Sequence, residues 1–345
     1  MNEIAFFLEN SSISYVALFV SLGTLAALTC AAITAVLNNS QVGPVMLGAA
    51  ISVLLCIPVS RLVYWYCNPE QYDGPISALT DTGSGGFSLA GVFIGVALSA
   101  LIIRLIGLTD NYLALMDCYA PGAALGIAVG RLGGFFTNDD KGNHLFTDEE
   151  YFGLPYSVAI TDSVTGSTEW RFASFFWESL AGFAIFAILL LMMYLKPVNR
   201  GSGRHGMLFM AFISLFGATQ AALESTRYDA LHMRSNGFIS LMQLVSLILL
   251  LIPMVYYSVR LIRADKQSLK PFCIVIWGVG LVMLGAAGVC EYLIQRKAKM
   301  AMSLHPLQLI ALLIFSLMTM FVAMRMYRVT DPEGRFRFPL ISRKY

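Results

Sequence analysis

A handful of charged residues sit where their surroundings are apolar, and these are the places to look for chemistry. Arg61, Arg104, Arg131, Glu178, Glu224, Arg227 and Glu291 all lie within or at the ends of long hydrophobic runs. In a bilayer such a charge costs from about 2.5 to well over 10 kcal/mol, so it is kept where it pairs or binds something. Arg131 is the sharpest case. "GRLGGFF" sets it among Gly130, Gly133 and Gly134, directly after the run "APGAALGIAV". A guanidinium offers five donors in a planar fork that matches a phosphate. The glycines would let a bulky anionic group approach the backbone, and they would equally serve close helix packing.

Glu224 and Arg227 are three residues apart, on one helical face, spaced to pair with each other or to hold a polar group together. Glu178 follows two aromatic residues and needs a partner, for which Arg131 and Arg61 are the candidates. Arg104 reads as a residue that snorkels from a helix end. Glu291 reads as structural, one turn from a helix end with Arg296 nearby.

The elements that must position these residues are membrane helices. With 57% apolar and 13% charged residues over 345 positions and a mean hydropathy of +0.69, the chain exposes more hydrophobic surface than a soluble core can bury. Runs long enough to span a bilayer recur near 13–37, 43–65, 87–107, 115–133, 172–195, 205–225, 237–261, 271–294 and 305–326. The expectation is an all-α polytopic bundle of roughly nine spans. The links sort by charge: 196–205, 260–270 and the tail after 326 are basic, whereas 67–83 and 134–170 are acidic. The positive-inside rule then puts the N-terminus outside and the C-terminus in the cytoplasm, with the basic link 295–299 as the one dissenter. "MNEIAFFLENSS" has acids and no basic leader region, which argues against a cleaved signal peptide.

The six cysteines lie in or beside apolar runs without CxxC or a histidine at ligand spacing, so neither a disulfide framework nor a zinc site is expected. No metal or cofactor is called for, and no nucleic acid is expected as a partner. The glycine cluster "GSGGFSLAGVFIG" (83–95) does not follow a strand, so a nucleotide-binding loop is rejected and close helix packing is the plain reading.

The ordered motifs carry a resemblance. "DCYAPGAALGIAVGRLGGFFTNDDKG" (117–142) is similar, without a gap, to the signature of the prolipoprotein diacylglyceryl transferase family, D-x-x-A-P followed by G-x-x-x-G-R-x-G-N-F, an acidic residue and a glycine. Asp117, Ala120, Pro121, Gly126, Gly130, Arg131, Gly133, Phe135 and Gly142 match it, with Asp139 in place of its glutamate. "YVALF" from Tyr15, "SRLVYWY" with Arg61, "GGFSLAG" with Gly85, Gly86 and Ser88, "RFASFFWES" with Glu178, "GATQAALESTRYD" with Glu224 and Arg227, and "NGFISLMQLVS" follow in the family's order. The likeness covers about 15–260, so residues 1–262 read as the family core, 263–328 as two additional membrane helices, and 329–345 as a basic cytoplasmic tail.

What the resemblance implies is an enzyme of the bacterial plasma membrane that moves the diacylglyceryl group of phosphatidylglycerol onto the lipobox cysteine thiol of a prolipoprotein, releasing glycerol phosphate. Arg131, Asp139 and Glu224 would be its catalytic residues. Tyr15, Arg61, Gly85, Gly86, Ser88, Gly133, Gly142, Glu178 and Arg227 would shape the headgroup site. Its partners would be the lipid, the signal peptide of the prolipoprotein and the surrounding membrane. Three polar positions of the family are changed, to Ala90, Gly134 and Gln220. Proton removal from the thiol would therefore fall to Asp139, Asp140, Glu178, Tyr66 or His144, or to ionisation beside Arg131. The alternative is a scaffold that binds phospholipid or lipoprotein without catalysis.

Overall fold

The computed structural model describes residues 4–8, 11–81, 86–137, 142–161, 167–194, 205–234, 236–264, 270–296 and 301–330. Among these residues are ten α-helices: α1 (Tyr15–Leu37), α2 (Val42–Cys67), the short α3 (Pro75–Thr80), α4 (Leu89–Leu105), α5 (Tyr112–Arg131), α6 (Ser174–Tyr194), α7 (Met207–Glu224), α8 (Leu241–Ala264), α9 (Lys270–Arg296) and α10 (Ala301–Thr330). Eight of them are long and apolar enough to cross a membrane. The expected span 87–107 is present as α4, but its 17 residues reach only about 25 Å at 1.5 Å per residue, short of the roughly 30 Å hydrocarbon core.

Local sequence sets the helix starts. Ser14 Oγ accepts from the Ala17 amide (3.2 Å) to cap α1, and Asn111 Oδ1 accepts from the amides of Leu113 (3.0 Å) and Ala114 (3.3 Å) to cap α5. The start of α7 has no cap of its own. Gly206 takes the left-handed conformation there (φ 91°), and the carboxylate of Asp117, buried in α5, accepts from the amides of Gly206 (2.6 Å) and Phe209 (2.8 Å).

Packing around α7 organises the bundle. It is buried nearly all round and touches α5, α6, α8 and α10, with Phe212 and Phe216 packed against Phe93 of α4. α1 lies along α5 on a stripe of small residues: a Cβ on Gly122 would come 2.5 Å from the Ala27 carbonyl oxygen, and one on Gly23 would come 2.5 Å from that of Gly126. α2 and α4 meet in the same way, Gly91 against Ser60 and Gly95 against Cys56. The last pair, α9 and α10, packs on α7 and α8, with the Ser214 and Ser316 hydroxyls 2.8 Å apart and Trp277 donating to Ser258 Oγ at 3.1 Å.

The sequence pattern gives no hint of seven short strands outside the helices: β1 (Ile4–Leu8), β2 (Ser11–Ser14), β3 (Leu145–Phe146), β4 (Ser157–Thr161), β5 (Thr168–Phe172), β6 (His232–Met233) and β7 (Asn236–Ser240). They form two hairpins and a three-stranded sheet in the order β3-β5-β4. The sheet sits in the acidic 134–170 link, where residues 138–141 lie outside the described residues.

Candidate active site

The C-terminal ends of α2, α5, α7 and α9 and the N-terminal ends of α1, α4, α6, α8 and α10 all lie at one end of the bundle, because consecutive helices run in opposite directions. The buried charges gather there. Glu178, in the second turn of α6, is 1% exposed at its side chain and accepts on Oε2 from Arg131 Nε at 2.8 Å and from Arg227 Nη1 at 3.2 Å. Its Oε1 takes Gln220 Nε2 at 3.0 Å, and the same amide nitrogen donates to Glu224 Oε2 at 3.1 Å. Ser240 Oγ donates to Glu224 Oε1 at 3.3 Å, and Asp229 engages Nε and Nη2 of Arg227 at 3.2 and 2.8 Å. One carboxylate thus holds two guanidiniums from different elements, and one amide group, with its two N–H donors, bridges two carboxylates.

Four of the sequence-derived residues, Arg131, Glu178, Glu224 and Arg227, therefore form one cluster. Of the two partners considered for Glu178, Arg131 is the one beside it. Glu224 and Arg227, spaced to pair or to hold a polar group together, are linked through Glu178 and Gln220 and through a backbone bond from the Arg227 amide to the Glu224 carbonyl (3.2 Å). Both oxygens of Glu178 are thus engaged by cations and an amide.

The backbone around the cluster is tied together by the 142–174 segment. Gly142 pairs with Arg227 in an isolated β-bridge and donates to the Phe172 carbonyl at 2.9 Å, while Asn143 donates to that of Thr226 at 2.7 Å. A Cβ on Gly142 would come 2.4 Å from the Phe172 oxygen, which is why glycine is needed for this approach. Tyr15, the first residue of α1, stacks on Phe136 with ring centroids 4.3 Å apart. Two of the glycines beside Arg131 are packed closely. Gly133 rests against Val16 and Phe19, and a Cβ on Gly134 would come 2.4 Å from the Phe175 ring. Where the family has asparagine, the space is filled by Phe175, which packs edge-on against Phe135.

A second group of residues gathers at the C-terminal end of α2. Arg61 is buried in α2 and donates to the carbonyls of Ala78 (2.6 Å from Nε) and Asp81, with its guanidinium over the rings of Tyr72 and Phe87. Gly86, at φ +81°, passes under Tyr64 and Tyr72, and Ser88 exchanges hydrogen bonds with Ser60 (2.7 Å each way). These residues order the α2–α4 connection. Gly85, Asp139 and Asp140 lie outside the described residues. Ala90 is buried in the apolar core with Phe212 and Phe216. Tyr66 stands half-exposed, its carbonyl accepting from Arg234. Glu291 takes its donors from Gln295 (2.7 Å) and Gln308 (2.9 Å), while Arg296 lies over the Tyr292 ring.

Against this geometry the similarities fall into place. The sequence model for "Prolipoprotein diacylglyceryl transferase" matches residues 3–259. The chain belongs to the prolipoprotein diacylglyceryl transferase family. Relatives named phosphatidylglycerol–prolipoprotein diacylglyceryl transferase include one from Clostridium botulinum, 26% identical over 268 residues, which are 77% of this chain and all of the relative. One from Finegoldia magna is 24% identical over 270 residues, again 77% of this chain and the whole relative. A Clostridium perfringens protein, named as transferase 1, is 27% identical over 271 residues, 77% of this chain and 97% of its own length. The family match ends within α8 and leaves α9 and α10 beyond it.

Those two helices close a cavity of about 660 Å³ against the cluster, lined among others by Glu224, Arg227, His144, Ser240, Glu291 and His305. His305 and Glu291 belong to the added pair. Residue type alone pointed to Glu291, while His305, at the edge of its apolar run, went unnoticed. The only available signal was that histidines are rare here, four in 345 residues.

Proposed function

We propose that this protein transfers the diacylglyceryl group of phosphatidylglycerol to the lipobox cysteine thiol of a prolipoprotein, at the Arg131–Glu178–Arg227 cluster, in a bacterial plasma membrane with the N-terminus outside. The observation that carries this reading is the convergence of two guanidiniums from α5 and the α7–β6 turn on one buried carboxylate, beside a large cavity and inside the family core. In the reaction the thiolate attacks the glycerol carbon that bears the phosphate ester. A C–S bond forms, the C–O bond breaks, and glycerol phosphate leaves with the electron pair. The leaving oxygen gains negative charge, which a cation fixed in advance stabilises more than mobile water does.

Arg131 fits that task best. Its side chain is 22% exposed, against 10% for Arg227 and 1% for Glu178, so it is the member of the cluster that a phosphate reaches. Glu178 holds its Nε end and thereby aims the guanidinium; Arg227, locked between Glu178 and Asp229, supports that position. The family core of residues 1–262 would carry this chemistry, with 263–328 as an added unit.

The test is transfer itself. Purified protein in vesicles containing phosphatidylglycerol is given a lipobox peptide, and mass spectrometry follows the diacylglyceryl mass on its cysteine. Gain of that mass with the unsubstituted chain, and its loss with Arg131→Ala in protein that still inserts and folds, is expected. No gain from folded protein would replace this reading with a scaffold that binds lipid without catalysis.

A further inference from the structure

We propose that His305, on the added helix α10, is the base that takes the thiol proton, and that the cavity between the family core and α9–α10 is where the acceptor cysteine enters; this rests on the transferase reading above. Three of the chain's four histidines, His144, His232 and His305, line this one cavity. Among the described residues no three His, Cys, Asp or Glu side chains converge to hold a metal ion.

His305 is the one the structure prepares. Its Nδ1 lies 3.1 Å from Ser225 Oγ, and that hydroxyl lies 2.7 Å from the Ala222 carbonyl oxygen. A hydroxyl has one proton. With that proton on the carbonyl, its nearest acceptor, Oγ receives from Nδ1–H, and this arrangement favours the neutral tautomer with its lone pair on Nε2. Ser225 stands between Glu224 and Arg227 in sequence, so the imidazole is anchored to the same turn that carries the charge cluster. Behind it runs a chain of side chains: Gln295 and Gln308 both donate to Glu291, and Gln308 Oε1 lies 3.4 Å from Ser225 Oγ. This chain ties α9 and α10 to the end of α7.

The step balances simply. Nε2 removes the S–H proton, the thiolate displaces glycerol phosphate, and the imidazolium returns its proton to the leaving phosphate or to water. The titratable and charged groups that share the cavity are Glu224, Arg227, Tyr228, His144, His232 and Glu291.

His305→Asn separates a base from a staple, because the asparagine amide can still donate to Ser225 while Nε2 is gone. In the vesicle and peptide assay, the unsubstituted chain is expected to form the thioether at a rate that is level above about pH 7.5. The variant should be slower by about 100-fold or more at pH 7, gaining about tenfold per pH unit as the free thiol ionises toward its own pKa near 8.5. KM for phosphatidylglycerol should stay the same. A variant within a few-fold of the unsubstituted chain, or slowed by one factor at every pH, overturns the proposal. If the variant does not fold, the unsubstituted chain decides: a rate still rising tenfold per unit through pH 8 shows that the thiol ionises without an imidazole. No thioether from the folded unsubstituted chain overturns this proposal and the transferase reading together, whereas a thioether with an unaffected variant overturns this one alone.

Discussion

Glu178→Gln tests whether one buried carboxylate organises the site. The substitution keeps the shape of the side chain and removes its charge. Arg131 Nε at 2.8 Å and Arg227 Nη1 at 3.2 Å then face a carboxamide, and an amide nitrogen on either side would set donor against donor. Breaking a buried ion pair by removing one partner costs roughly 3–5 kcal/mol. Arg131 retains some solvent access and Arg227 keeps Asp229, so both cations recover part of that loss and the expected cost is about 3 kcal/mol. That corresponds to about a 100-fold fall in the ratio of folded to unfolded protein. The six free cysteines, all buried or half-buried, supply the readout: titration with a denaturing detergent, followed by reaction with a thiol dye, reports unfolding. The double variant with Arg131→Gln should regain much of the loss, giving a coupling of about 1.5 kcal/mol or more. A single-variant cost under about 1 kcal/mol, or simple additivity in the double variant, would show that the cluster is not held by Glu178.

Two further outcomes follow from packing. Gly122→Leu should abolish the folded bundle or cost upwards of about 3 kcal/mol, since its Cβ would meet the Ala27 oxygen at 2.5 Å, whereas Gly278→Ala, with nothing within 4 Å, should be neutral or gain up to about 1 kcal/mol of helix stability; the same thiol titration compares them. Gly134→Asn, which restores the residue type of the family, should destabilise the protein and lower transfer because Phe175 occupies the space, and pairing it with Phe175→Ala should relieve the clash; gain of activity by Gly134→Asn alone would show that the ring moves aside freely.

The helices were legible because a bilayer imposes a length and a composition on each one. The expected span at 13–37 ends where α1 ends, and those expected at 271–294 and 305–326 are present as α9 and α10. The strands of the 142–172 link were not legible, since each is five residues or fewer and is set by pairing with distant partners such as Ser157 with Phe172. Arg131, Glu178, Glu224 and Arg227 announced themselves by type, because a charge in an apolar run has few bland explanations. Arg61 announced itself equally, and its guanidinium donates to the Ala78 and Asp81 carbonyls of the α2–α4 connection. Residue type reports that a charge must be satisfied; it does not report by what.

By itself the sequence determined that this chain is a helical membrane bundle, where its long helices run, and which charges must find partners inside it, because hydropathy and desolvation act on each segment separately. Only the tertiary structure decided that Glu178 takes two arginines, that Gln220 bridges two carboxylates, that the glycines beside Arg131 receive α1 and Phe175, and that His305 from the end of the chain rests on the turn between Glu224 and Arg227. Those contacts join residues from about 40 to 80 positions apart in many cases, and the three-dimensional crossing of helices, which no local pattern encodes, brings them within hydrogen-bond reach.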